Sequence, residues 1–226
     1  MPKFIPLLSK CRDRCDVWNA ELLHGCKYDG DYDMPVLPIC DIVPQSLIAF
    51  TKARAKSKNA DGSFVHCYED DYKFECLWRQ SKRYLPLMKS YGGAIAPDFS
   101  VYREMPIAQQ IFNVFRSRAM GYGWTRNGIH VIPNVRWGDE RTHKFCFDGL
   151  PTNSVLAVGT HGCVKHIDDR HYFIDGFMAM LERLCPKAIV VYGSASDKIF
   201  PPLFACNVEI IRFESDFSRS RKKGMV

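Results

Sequence analysis

Gly128-Ile-His-Val-Ile-Pro-Asn-Val-Arg-Trp-Gly-Asp-Glu-Arg141 is the stretch on which the fold turns. An apolar strand pattern over Ile129 to Val135 runs straight into Arg136, Trp137, Asp139, Glu140 and Arg141. The same succession recurs on both sides. Phe64 to Tyr68 reads as a strand, and Glu69-Asp70-Asp71 offers a negative first turn to a helix. Phe74, Leu77, Trp78, Leu85 and Met88 keep helical spacing, with Pro86 marking a break into two segments. Ala94-Ile95-Ala96 is a short buried strand that delivers Pro97-Asp98-Phe99-Ser100 to its far end.

Pro106 suits the first turn of a helix whose Ala108, Ile111, Phe112, Phe115 and Ala119 form one stripe; Gly121, Gly123 and Gly128 punctuate its exit. Beyond the opening stretch, a short polar-aromatic helix is expected over Glu140 to Phe147. Ser154 to Gly159 is a strand ending at Thr160-His161-Gly162. Phe173, Phe177, Met180, Leu181 and Leu184 mark the clearest helix, closed by Pro186. Ala188 to Tyr192 is a continuous apolar run, as in a strand buried on both faces, and Val208 to Phe213 supplies another.

Strands alternating with helices imply right-handed crossovers and a mainly parallel α/β sheet of about six units. An open doubly wound sheet and an irregular or partial (β/α) barrel-like sheet both fit, and the near-regular alternation favours the second. Residues 1–40 lack periodicity and are expected to form an irregular N-terminal arm packed on the domain. Residues 41–216 form a single α/β domain, and 217–226 a basic C-terminal tail.

Over 226 residues the hydrophobic content of 46% and charged content of 25% are those of an ordinary globular chain, while the aromatic content of 13% is generous and suits a well-filled core or a stacking surface. No apolar run approaches the roughly 20 residues of a membrane span, and the proline-interrupted N-terminus lacks a signal-peptide core. A cytoplasmic protein without membrane contact is expected. Cys67, Cys76, Cys146, Cys185 and Cys206 sit in apolar patterns and read as reduced core residues. The net charge of +6 is local: Lys52, Arg54, Lys56 and Lys58 form one cluster, and Arg219, Arg221, Lys222 and Lys223 form another. Such runs suit either contact with phosphates or a solvated, mobile terminus.

In both architectures ligands bind beyond the carboxyl ends of the strands. That rule gathers Glu69, Asp70, Asp98, Ser100, Arg136, Trp137, Asp139, Glu140, Thr160, His161, Ser194 and Glu214. Asp98, Asp139 and Glu140 would supply carboxylates for a divalent metal ion or for general acid and base work. Arg136 would clamp a phosphate or carboxylate and Trp137 stack a base or sugar ring, with Ser100, Thr160 and Ser194 as further substrate contacts and His161 as a general base or ligand. The bland alternatives are that Asp139 and Glu140 cap the next helix and that Arg136 pairs with Asp98. Gly193-Ser-Ala-Ser lacks the lysine of a P-loop and the spacing of a dinucleotide fingerprint. Cys11, Cys15, His24 and Cys26 offer zinc ligands without a Cys-x2-Cys pair. The third cysteine of a radical S-adenosylmethionine motif would fall at Trp18.

Ala96-Pro-Asp-Phe-Ser100, Met105-Pro-Ile-Ala-Gln-Gln110, Val131-Ile-Pro-Asn-Val-Arg-Trp-Gly-Asp-Glu140, Phe145-Cys-Phe-Asp-Gly149, Gly162-Cys163, Phe173-Ile-Asp-Gly176 and Ile189-Val-Val-Tyr-Gly193 form a set. Together they resemble the family known as domain of unknown function 4417, found in bacteria, archaea and their viruses. The resemblance implies a phage or mobile-element setting and carries no activity or substrate with it. Two functions are therefore expected from the residues themselves. One is a strand-end pocket centred on Asp98, Arg136, Asp139 and Glu140, acting on a phosphorylated or nucleic-acid-derived substrate. The other is non-catalytic binding of nucleic acid or a protein through Lys52, Arg54, Arg219, Arg221, Lys222 and Lys223.

Overall fold

A computed structural model of the chain describes residues 19–55, 62–160, 167–193, 208–216 and 218–219, with the backbone alone at 167 and 168. A 3-10 turn at Ala20–Leu23 and a two-stranded antiparallel hairpin, β1 (Tyr28–Asp29) and β2 (Met34–Pro35), precede the main sheet. The main sheet then alternates with helices: β3 (Leu47–Ala49), α1 (Phe50–Ala55), β4 (Phe64–His66), α2 (Asp71–Arg79) and α3 (Ser81–Lys89). Next come β5 (Gly93–Ile95), α4 (Ile107–Arg126), β6 (Val131–Ile132) and a 3-10 helix at Glu140–Lys144. Last are β7 (Val155–Gly159), α5 (Ile167–Leu184), β8 (Ala188–Tyr192) and β9 (Glu209–Phe213).

Seven parallel strands run in sequence order, as β3-β4-β5-β6 and β7-β8-β9. A parallel bridge between Asn134 and Ala157, flanked by Val135 N–H to Ala157 O and Ala157 N–H to Pro133 O at 2.9 Å, joins the two groups. In a flat sheet β4 and β8 would stand four strand spacings, about 19 Å, apart. Instead the rings of His66 and Tyr192 lie 4.3 Å apart, so the sheet curls strongly on itself. No pairing of β9 with β3 occurs among the described residues, and no closed barrel forms.

The period-2 alternation of strand side chains sorts the core into layers. Leu47, Phe64, Ile95, Ile132, Val155 and Ala188, with Ile211 packed against them, fill the concave side with one residue from each strand. On the convex side Val65, Ala94 and Val131 meet Phe74, Leu77, Met88 and Met120. Leu156, Val158, Ile189 and Val191 meet Phe173, Phe177, Met180 and Leu184 of α5. No helix among the described residues is long and apolar enough to cross a membrane.

Three local expectations are corrected. The helical break falls at Gln80 (φ −138°, ψ 48°), and Pro86 lies inside α3. Starting a new helix at Ser81 leaves proline's missing N–H two positions past the unbonded first turn. Gly121 and Gly123 lie within α4 because its surface is pressed close: an added Cβ would stand 2.9 Å from the Leu37 side chain or 2.6 Å from that of Leu22. Gly128, at φ +82°, is the actual exit. Cys185 is exposed, at φ 43° in the C-terminal turn of α5, whereas Cys67 and Cys146 are buried free thiols and Cys76 half-buried. Cys206 lies outside the described residues, as do Cys11 and Cys15.

Candidate functional site

A cavity of about 660 Å³ opens at the carboxyl ends of the strands. Tyr68 and Glu69 reach it from β4, Asp98 and Ser100 from β5, Arg136 and Trp137 from β6, Gly159 from β7, Tyr192 from β8 and Asp216 from β9. Tyr172 and Asp169 of α5 and Arg103 complete its mouth.

Asp98 is 6% exposed and anchors the wall. Its Oδ1 accepts from Arg136 Nε at 2.9 Å and from Asn134 Nδ2 at 2.7 Å, and Arg136 Nη2 donates to its other oxygen. Tyr68 OH donates to Asn134 Oδ1 at 2.9 Å, so a phenol, an amide, a carboxylate and a guanidinium form one continuous network. Burial pushes the Tyr68 hydroxyl well above its ordinary range, which keeps it a donor. Beneath it, the fully buried His66 accepts the Tyr68 N–H on Nδ1 at 3.2 Å and packs against the Tyr68 and Tyr192 rings. Burial depresses its pKa to about 3, so the imidazole is neutral.

Ser100 is held by Asp71, which accepts its hydroxyl at 2.8 Å and its N–H at 3.1 Å. Burial raises the pKa of Asp71, against the lowering effect of those hydrogen bonds. Across the mouth, Arg103 pairs with Asp169 at 2.8 Å and lies 4.3 Å over the Tyr172 ring. At the far lip Asp216 binds Lys52 at 2.6 Å and Arg219 at 2.5 Å, so one cation from each basic segment converges there. Burial alone would raise the Asp216 pKa; Lys52 and Arg219 hold it below the usual carboxylate range.

The sequence-predicted residues separate into those that share the cavity and those that do not. Glu69, Asp70, Asp98, Ser100, Arg136 and Trp137 line it; Asp139, Glu140 and Glu214 do not. Asp139 accepts the Arg141 N–H at the start of the 3-10 helix and pairs with the Arg141 side chain at 2.8 Å, which depresses its pKa. Glu140 is exposed. Trp137 is 6% exposed, donates to Tyr172 O at 3.2 Å and packs 5.2 Å from Phe173. Gly176 of α5 permits that approach, because any Cβ there would overlap the indole. Thr160 is buried, with its N–H on Tyr192 O at 3.0 Å, and Arg54 reaches Cys76 Sγ at the surface at 3.8 Å. His161, Ser194, Arg221, Lys222 and Lys223 lie outside the described residues. The described residues contain no group of three His, Cys, Asp or Glu placed to hold a metal ion. Tyr68, Asn134 and Asp71 were not singled out in the sequence, because the first two sit inside apolar strand patterns and the third reads as an ordinary helix start.

Fold and cavity define a curled parallel α/β protein with a polar-aromatic cavity at its strand ends. The chain belongs to the family described as "Domain of unknown function (DUF4417)", which matches residues 26–214. It is similar to the "Gene 1 protein" of Mycobacterium phage L5, 37% identical over 163 residues that cover 72% of this chain and 71% of that protein. The "Gene 1 protein" of Mycobacterium phage D29 is 36% identical over 163 residues, covering 72% of this chain and 60% of its own length. The chain is thus of phage type. No solved structure matches it significantly.

Proposed function

We propose that the strand-end cavity binds a phosphorylated, ring-bearing ligand of the nucleic-acid-derived class. The observation that carries this reading is the juxtaposition, around one cavity, of the Arg136 guanidinium fixed on Asp98 with the Tyr68, Tyr172 and Tyr192 rings. A planar guanidinium held in place suits an anionic oxygen, and tyrosine faces suit a base or sugar. Its volume of about 660 Å³ lies within the range of small-ligand sites. Asp98 and Arg136 act as the anchor, Ser100 as a polar contact and Tyr172 as the stacking ring.

Titration calorimetry with nucleosides, nucleoside mono- and triphosphates and sugar phosphates tests the reading. Phosphorylated ligands should bind at least tenfold tighter than their parent nucleosides. The paired variant Asp98→Asn with Arg136→Met, which avoids stranding one buried charge, should abolish that preference while the circular dichroism spectrum is kept. If no member of the panel binds, or the paired variant binds as the wild type does, the reading is wrong.

A further inference from the structure

Ser100 is fixed at the cavity more firmly than a passive lining residue requires. Its hydroxyl donates to Asp71 Oδ1 at 2.8 Å, and its N–H meets the two oxygens of the same carboxylate at 3.2 and 3.1 Å. Asn113 Nδ2 donates to Ser100 O at 2.6 Å, and Asn113 Oδ1 accepts from Arg116 Nη2 at 2.6 Å. Asp71 opens α2 and Asn113 lies in α4, so two helices hold one residue of the loop after β5. The N–H bonds alone would fasten that loop to α2. The hydroxyl adds a nucleophile on a cavity-lining residue, within hydrogen-bond reach of a base. Among the described residues none donates to its oxygen, so its lone pairs are uncommitted.

We infer that Ser100 and Asp71 form a nucleophile–base dyad that cleaves a small phosphodiester. The inference rests on the ligand class given above and narrows it to a diester bearing a single nucleoside. Charge favours that class. The three cations of the lining are each matched by a carboxylate: Arg136 by Asp98, Arg103 by Asp169 and Lys73 by Asp70. A polyanion would find no excess of positive charge there, whereas a diester brings one negative charge. In the first step Ser100 Oγ bonds to phosphorus while its proton passes to Asp71. The bond from phosphorus to one ester oxygen breaks, and that oxygen leaves with the proton from Asp71. Asp71 then takes a proton from water, whose oxygen attacks phosphorus. The bond from phosphorus to Oγ breaks, and Asp71 returns the proton to Oγ. One water is consumed, and an alcohol and a phosphomonoester are released. Burial raises the Asp71 pKa, which makes its carboxylate a stronger base than an exposed one.

The test uses a nitrophenyl ester of thymidine monophosphate, which releases nitrophenolate on cleavage. Beside it stands a fluorophosphonate, which traps an activated serine by losing fluoride. Wild-type chain should release nitrophenolate, and peptide mass spectrometry should place the fluorophosphonate adduct on Ser100. Ser100→Ala should abolish both. Asp71→Asn keeps an acceptor for the Ser100 N–H and hydroxyl, so a tether survives it and a base does not. Both rates should then fall about 100-fold with the circular dichroism spectrum kept. Wild-type rates in Asp71→Asn make Asp71 a tether only and overturn the dyad. So does an adduct on another serine, or nitrophenolate release that persists in Ser100→Ala. The mapped adduct needs no variant, so the outcome holds even where a substitution unfolds the chain. If phosphorylated ligands bind in calorimetry but no nitrophenolate is released, the dyad falls and the cavity reading stands. If neither binding nor cleavage is seen, both fall.

Discussion

Arg118 bonds Asn134 directly and Arg136 meets it through Asp98, from sides of the molecule with opposite access to water. Arg118 is 1% exposed, and it donates to Asn134 O at 2.9 Å, Cys146 O at 2.6 Å and Asp148 O at 3.2 Å. No carboxylate takes part in those three bonds, and burial lowers its pKa to about 10. Arg136 faces the cavity and shares the Asp98 carboxylate with the Asn134 amide. The first cation is a strut tying α4 to the backbone after β6 and to the 145–148 turn. The second is one half of a neutral pair that a ligand can approach. Burial of a charge therefore marks no function in this fold; access and partner type separate the strut from the candidate site.

The contrast is broken most severely by Arg118→Met, which leaves three buried carbonyls without donors. We expect a loss of about 3–5 kcal/mol, and of roughly 10 °C in Tm, by urea and thermal unfolding. A cost below about 1 kcal/mol would mean water replaces the guanidinium and the strut is not sealed. Gly176→Ala comes next, because its methyl group drives the indole of Trp137 away and disturbs the backbone that carries Arg136. Overpacking of this kind costs about 1–3 kcal/mol; a thermal melt identical to wild type would show that Trp137 is not fixed from α5. Asp98→Asn should cost less, about 1–2 kcal/mol, since the guanidinium it leaves behind can be hydrated from the cavity. If Asp98→Asn proves as damaging as Arg118→Met, the two arginines do not differ in access.

The smallest effect is on acid stability through His66. Its pKa is about 3 folded and near the ordinary 6.5 unfolded, so the unfolded chain takes up the proton first. The stabilisation is fully present above pH 6.5 and is lost as pH falls from there towards 3. Between pH 6.5 and 5.5 it accounts for about 1 kcal/mol. His66→Phe should flatten that limb of a stability-against-pH curve. An unchanged slope would remove His66 from the account.

Much of this arrangement was legible in the sequence where one kind of pattern dominates. Val155–Gly159 and Ala188–Tyr192 are unbroken apolar runs, and both are strands with every residue buried. Phe173, Phe177, Met180 and Leu184 form the buried stripe of α5 as their spacing requires. The strand-end rule brought Asp98, Ser100 and Arg136 to one cavity, and the bland pairing of Arg136 with Asp98 is also what the side chains make. What spacing does not encode is the identity of distant neighbours. Trp137 reads as a stacking ring until α5 arrives from far along the chain to cover it. Arg118 sits in a helix of mixed polarity, where nothing local separates a buried arginine from a solvated one. Asn134 looks like a weak point in a strand; its role appears once β6, β7 and α4 have met around it.

Among the described residues β9 and β3 are not paired, which gives the curled sheet one joint unlike the others. Neighbouring strands elsewhere are laced by backbone hydrogen bonds, which salt leaves largely untouched. Across this joint, Lys52 after β3 and Asp216 after β9 meet as an ion pair whose lysine is 58% exposed. An exposed ion pair of this kind is weakened by added salt and contributes at most about 1 kcal/mol. The sheet thus has a seam whose tightness follows the surrounding electrolyte: amide exchange in β9 should quicken as salt rises, while that in β7 and β8 holds steady.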